Sequence, residues 1–289
     1  MKVDKTSRTA QYMAFFRALE TKRRPGDKLF SDPIAIHFLD HKLRLAVKAS
    51  NLPLFKTYLN NTIRKKIPGA LSSGIARTKY IDDLLFSTIE TGVKQVIILG
   101  AGFDTRASRL EFLKSIRVIE IDHPNTSNYK IDIYKSRIGI LPQNVTYCQI
   151  DFNQQSLEQL AEETKFDFLI PTTIIWEGVT NYLTADTIDK TFAFISKFPC
   201  SSFVIFTYVD KQVLDDPRSF TGGEKLLQDL ERIEERWTFG FLPPDLSGYL
   251  SNFGLTLIED LGATEYRKRY LPDRTEKGYE FYRVAIAKR

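Results

Sequence analysis

Two short segments hold the residues best suited to chemistry. Gly100-Ala101-Gly102-Phe103-Asp104-Thr105-Arg106 follows the β-branched run Val96 to Leu99, and Glu120-Ile121-Asp122-His123-Pro124 closes a second apolar run. Gly100 and Gly102 tolerate positive φ and leave no Cβ to hold a ligand off the backbone. Asp122, just past the second strand, can accept both hydroxyls of a ribose. Glu120 shares its side of the extended chain but lies within the strand. Together the segments describe a nucleoside site at the carboxyl edge of a parallel sheet. A dinucleotide fits poorly, because Thr105 replaces the third glycine of its fingerprint and Asp104 would repel a pyrophosphate. S-adenosylmethionine has no phosphate, and Asp104 could help neutralise its ammonium directly or through water. The competing reading is a tight strand–helix turn capped by Asp104.

The elements that must position these residues follow from periodicity. Strand-like runs fall near 95–99, 116–121, 145–150, 166–175, 202–208, 255–260 and 280–287. Helical intervals near 105–114, 125–138, 156–164 and 185–197 separate the first five. Alternating β and α units imply right-handed crossovers and an α/β, doubly wound sheet. Before it, helices are expected over 6–20, from Asp32-Pro33, and over 72–91, with a basic amphipathic stretch from about 40 to 68. One domain results: an N-terminal helical cover (1–92), a cofactor-binding core (93–208), a helical insertion after the fifth strand (209–250) and a C-terminal antiparallel hairpin (251–289). The insertion should hang over the carboxyl ends of the strands.

Five ordered blocks give the chain a family likeness. The glycine loop and the Asp122 segment resemble the leucine carboxyl methyltransferase family of S-adenosylmethionine-dependent methyltransferases, in particular its bacterial branch with polyketide O-methyltransferases. Thr9 to Glu20 with Leu29-Phe30-Ser31-Asp32-Pro33, then Ala76-Arg77-Thr78-Lys79-Tyr80-Ile81-Asp82, and Trp176-Glu177-Gly178-Val179-Thr180-Asn181-Tyr182-Leu183-Thr184 are similar to its other motifs. The likeness is loose between about 40 and 70 and after about 210. It implies a class I Rossmann-like seven-stranded sheet in which Arg77 pairs with the methionyl carboxylate, a role that suits the bidentate guanidinium. It also implies that Asp151 bonds the adenine amino group beside Phe152, and that Glu177 contacts the methionyl ammonium. Asp151 could instead cap the next helix. Glu177 as catalytic base and Tyr182 as pocket lining are weaker candidates, and the base is otherwise unassigned.

Methyl transfer to a carboxylate needs no general base, whereas a phenol gains from one. His37, His41 and His123 are the only histidines, and none stands late in the chain. The expected reaction is therefore O-methylation of a carboxylate or acidic hydroxyl on a small metabolite. The alternatives are a non-catalytic S-adenosylmethionine-binding protein or a nicotinamide-dependent oxidoreductase. Trp237, Phe239, Phe241, Tyr249 and Tyr266 could wall a flat apolar ligand with Arg267 or Arg269 anchoring an acid, or could simply pack the insertion.

The 289 residues carry 41 Lys and Arg against 36 Asp and Glu. The basic triplets Lys22-Arg23-Arg24, Arg64-Lys65-Lys66 and Arg267-Lys268-Arg269 are far apart and read as solvated surface rather than a nucleic-acid groove. Two cysteines with no CxxC give no zinc site. No apolar run is long enough to span a bilayer, and the first residues lack a secretory core. These features suit a cytoplasmic protein with no membrane or nucleic-acid partner and leave its oligomeric state open.

Overall fold

The computed structural model describes residues 8–151, 155–164 and 166–289. The chain opens with helix α1 (Arg8–Thr21). A single 3-10 turn, Ala35–Phe38, stands where Asp32-Pro33 suggested a second helix. The reason is local: Asp32 Oδ1 accepts the amides of Ile34 and Ala35, closing one turn. Helices α2 (His41–Ala49) and α3 (Pro53–Lys66) divide the basic stretch, with Asp40 capping the first and Pro53 opening the second. The long helix α4 (Ala70–Glu90) follows. Small residues near its start let α1 approach, since a Cβ on Gly74 would lie 3.1 Å from Met13 and Phe16 side-chain atoms.

Strand β1 (Gln95–Leu99), helix α5 (Arg106–Arg109), β2 (Arg117–Asp122), α6 (Pro124–Ile133), β3 (Val145–Gln149), α7 (Leu157–Thr164), β4 (Thr172–Trp176), α8 (Ala185–Ile195) and β5 (Phe203–Val209) make the core. Strand β4 begins six residues later than its apolar run suggested. Pro171 has no amide to give a sheet ladder, and Leu169 is exposed in the turn before it. The insertion holds short helices α9 (Gln212–Asp215), α10 (Gly223–Arg232) and α11 (Leu246–Ser251). Strands β6 (Thr256–Gly262) and β7 (Tyr282–Lys288) then pair antiparallel. They are not a tight hairpin, because helix α12 (Ala263–Tyr270) lies between them.

The seven strands run in the order β3-β2-β1-β4-β5-β7-β6. The first five are parallel, and β7 enters antiparallel beside β5. The strand order reverses between β1 and β4, since β2 and β3 are added on one side and β4 and β5 on the other, and this switch point is where ligands bind such sheets. Alternation along the strands splits the core in two. Ile97, Ile119, Ile174, Val204 and Phe206 face α7, α8 and α11, while Val96, Ile98, Val118, Ile175 and Ile205 face α4 and α12. A third apolar cluster joins α1, the 3-10 turn and α2.

One backbone contact ties the cover to the C-terminal region. Gly69 (φ +73°) precedes α4, and Gly278 (φ +113°) precedes β7. A Cβ on Gly69 would lie 2.2 Å from the Gly278 carbonyl oxygen, and a Cβ on Gly278 would lie 2.3 Å from the Pro68 oxygen. Only a glycine pair allows the two segments to touch here.

Candidate functional site

The site forms at the carboxyl ends of β1, β2 and β4. Gly100 and Gly102 both have positive φ, and a Cβ on Gly100 would come within 2.4 Å of Val179 Cγ2. The loop therefore packs against the segment after β4. Gly100 and Ala101 donate their amides to the Ile121 carbonyl at 2.8 and 3.1 Å. This folds the loop over β2 and puts the Gly102 amide on the Asp122 carboxylate, which also accepts the His123 amide at 2.6 Å. Burial raises Asp122 above the ordinary aspartate value, with the two amides pulling the other way.

Glu177 sits at the tip of β4 between two arginines. Its Oε1 accepts Arg77 Nε and its Oε2 accepts Arg106 Nη2, each at 2.9 Å. Burial would raise this carboxyl, but Arg106 and Arg77 outweigh it and hold Glu177 below its usual range. Arg77 projects from α4, is buried, and lies over the Tyr282 ring with Cζ 4.6 Å from the centroid. Its Nη2 is 3.4 Å from the Met13 sulfur, so α1 closes over it.

Asp104 is committed to Arg106 through both oxygens, one on the backbone amide at 2.7 Å and one on the guanidinium. Burial opposes its ionisation, but Arg106 and then Lys130 prevail and place Asp104 at about 2. The amide bond spans two residues and closes a tight turn, while the N-cap position of α5 falls on Thr105, which makes no side-chain cap bond. Arg106 also donates Nε to Asp82 at 2.8 Å. Asp82 in turn takes two bonds from Arg109, whose Nε lies 3.9 Å from Asp32. Asp32 accepts Thr105 Oγ1 at 2.6 Å and Arg17 Nε at 2.8 Å. Four arginines and four carboxylates thus link the cover, the glycine loop and β4 in one lattice.

Arg77, Gly100, Gly102, Asp104, Asp122 and Glu177 are therefore gathered at one sheet edge. Asp151 follows Ile150, whose amide bonds the Asp122 carbonyl at 3.0 Å, so it stands beside the tip of β2. Phe152 lies outside the described residues. Tyr182 packs half-buried against the insertion cluster with Trp237 and Tyr282, and burial pushes its hydroxyl up to about 12. The reading from residue types missed Arg106, Arg109, Asp82, Asp32 and Arg17. Two arginines three apart, Arg106 and Arg109, closely following Asp104 of the glycine loop were the available signal.

The insertion does reach this edge. Thr238 donates its amide to Asn181 and its hydroxyl to Leu183, just past β4. Its aromatics, however, pack rather than line an opening. Trp237 and Phe241 are buried among other rings, as is Tyr266 of α12. Tyr249 bonds Asp189. Arg267 is buried on the carbonyls of Ala263 and Glu276, and Arg269 pairs with Glu259. Neither arginine is placed to anchor an acid. Among the described residues, no helix is long and apolar enough to cross a membrane, and no group of three or more His, Cys, Asp or Glu could hold a metal ion.

A seven-stranded sheet of this order, with a glycine loop after β1 and an acid ending β2, has the class I methyltransferase architecture. The leucine carboxyl methyltransferase family profile matches residues 10–196, and the chain belongs to that family. A provisionally named S-adenosyl-L-methionine-dependent methyltransferase of Streptomyces coelicolor is 31% identical over 189 residues, 65% of this chain and 64% of the relative. One from Mycobacterium bovis BCG is 30% identical over 209 residues, 69% of this chain and 63% of its own length. The matches thus span less than two thirds of these relatives. Among solved structures, a provisionally named methyltransferase from Thermobifida fusca superposes with TM-score 0.60 at 17% identity, covering 92% of this chain and 97% of its own. A DUF574 family protein from Streptomyces avermitilis gives 0.59 at 12%, covering 94% and 99%. At these identities the likeness is one of fold.

Proposed function

We propose that the chain is an S-adenosylmethionine-dependent methyltransferase acting on oxygen, preferentially a carboxylate of a small metabolite. The observation that carries this reading is the Arg77–Glu177 pair, set at the switch point beside Asp122 and the Gly102 amide. This donor set fits the cofactor. Asp122 would accept its ribose hydroxyls, Arg77 its carboxylate and Glu177 its ammonium, with Asp151 and Phe152 toward the adenine. Bound there, S-adenosylmethionine would supply a methyl group already activated by its sulfonium.

The protein's own contribution is then alignment rather than proton transfer. Glu177, held ionised by two arginines, is a poor base at neutral pH and suits a binding role. Tyr182 stays protonated there and can donate a hydrogen bond but cannot take a proton. An acceptor already ionised at neutral pH needs neither, which favours a carboxylate over a phenol.

Calorimetry with S-adenosylmethionine, S-adenosylhomocysteine and NAD tests the cofactor; binding of NAD alone would overturn the assignment. Methyl-labelled cofactor incubated with a metabolite extract tests the acceptor. Label released by mild alkali indicates an ester, and stable label refutes the carboxylate preference.

A further inference from the structure

We propose that α2 and α3 form a docking surface for an anionic lipid bilayer, on which the protein lies without crossing it. Between His41 and Ile67 the chain carries Lys42, Arg44, Lys48, Lys56, Arg64, Lys65 and Lys66 and no Asp or Glu. All of these except Arg44 are exposed. The same segment concentrates apolar side chains in solvent. Four of the nine large hydrophobic residues exposed among the described residues fall between 45 and 58: Leu45, Leu52, Leu54 and Tyr58. Helix α3 buries none of its residues fully. Leu59, Ile63 and Ile67 turn toward the core of the cover, and the apolar side chains at its N-terminal end point away.

Charge and exposure together select the occupant. A merely solvated face would have no use for a leucine cluster. A nucleic acid would use the cations and any stacked rings but gain little from Leu52 and Leu54. A second copy would bring a like-charged face. A groove for a peptide would shelter its lining, whereas Leu54 is 89% exposed. A bilayer interface satisfies both halves, since protruding apolar side chains enter the acyl boundary while Lys and Arg meet anionic headgroups. Lying on a membrane also differs from spanning one, so the absence of a long apolar helix among the described residues does not oppose it.

The test uses the full chain and sedimentation with vesicles of phosphatidylcholine alone or mixed with phosphatidylglycerol. The protein should sediment with the mixed vesicles, not the neutral ones, and high salt should release it. Leu54→Glu with Tyr58→Glu should lower partitioning at least about ten-fold, and each of Lys65→Gln and Lys66→Gln about five-fold. All four side chains are exposed, so the circular dichroism spectrum should be unchanged. Equal partitioning to both vesicle types, or wild-type partitioning of the Leu54/Tyr58 variant, overturns the proposal. Binding to a short DNA duplex in place of vesicles, insensitive to Leu54→Glu, overturns it in favour of a nucleic acid.

Discussion

The sheet edge and the α2–α3 cover handle positive charge in opposite ways. At the edge, Arg17, Arg77, Arg106 and Arg109 face Asp32, Asp82, Asp104 and Glu177, four cations to four carboxylates, largely out of water. On the cover, six exposed cations follow one another with no acid in the segment. A buried charge is tolerable only when paired and hydrogen-bonded, so each guanidinium at the edge is fixed in place by its partners. A solvated charge has no such requirement and stays available to a partner from outside. Pairing makes the edge a rigid frame; its absence makes the cover a receptive surface.

The largest effect should come from breaking that frame. Arg106→Met leaves Asp82, Asp104 and Glu177 without their shared cation and should cost about 3–5 kcal/mol of unfolding free energy in urea titrations. If the loss is no greater than for a surface lysine, the contrast between the regions fails. Next comes pH. Burial, only partly offset by Lys130, raises Glu120 from 4.5 to about 7. Between those values the folded chain holds a proton that the unfolded chain releases. Stability should therefore fall as pH rises through that window, by on the order of 3 kcal/mol. Asp104 has the opposite sign: lowered from 3.8 to about 2, its contribution is present above 3.8 and lost as pH falls toward 2, on the order of 2 kcal/mol. Thermal denaturation across pH should show both limbs, and Glu120→Gln should flatten only the upper one.

Arg77→Ala and Asp122→Ala should each weaken S-adenosylmethionine binding by about 1–3 kcal/mol, read by calorimetry. Unchanged affinity in both would refute their placement around the cofactor. The smallest effect belongs to the cover. Lys65→Met and Lys66→Met should change unfolding free energy by no more than about 0.5 kcal/mol, a result that sharpens the comparison if vesicle binding falls at the same time.

What could be read in advance divides along similar lines. Strands β1, β2, β3 and β5 stand within about two residues of their expected places, because β-branched runs bounded by turn residues are local signals. The glycine loop and Asp122 are likewise local. The run before β4 misled because its apolar pattern continues through Pro171, although that residue has no amide to give a ladder. The ionic lattice was hidden for a different reason. Its bonds join Arg17 to Asp32, Asp82 to Arg106, Thr105 to Asp32 and Arg77 to Glu177, separations of 15, 24, 73 and 100 residues. No periodicity spans such distances; only the fold brings the partners together. The insertion's rings show the same limit, since composition cannot tell a ligand wall from a packed core.

The contact between Gly69 and Gly278 joins parts of the chain that would otherwise vary apart. The family profile ends at residue 196, yet residue 278 abuts Pro68 and Gly69, immediately before the helix that carries Arg77. A methyl group added at either glycine would wedge that helix from its seat and move the guanidinium with it. Substitution at residue 278 is therefore answerable to the seat of the Arg77 helix some two hundred residues earlier, and the two segments must change in step.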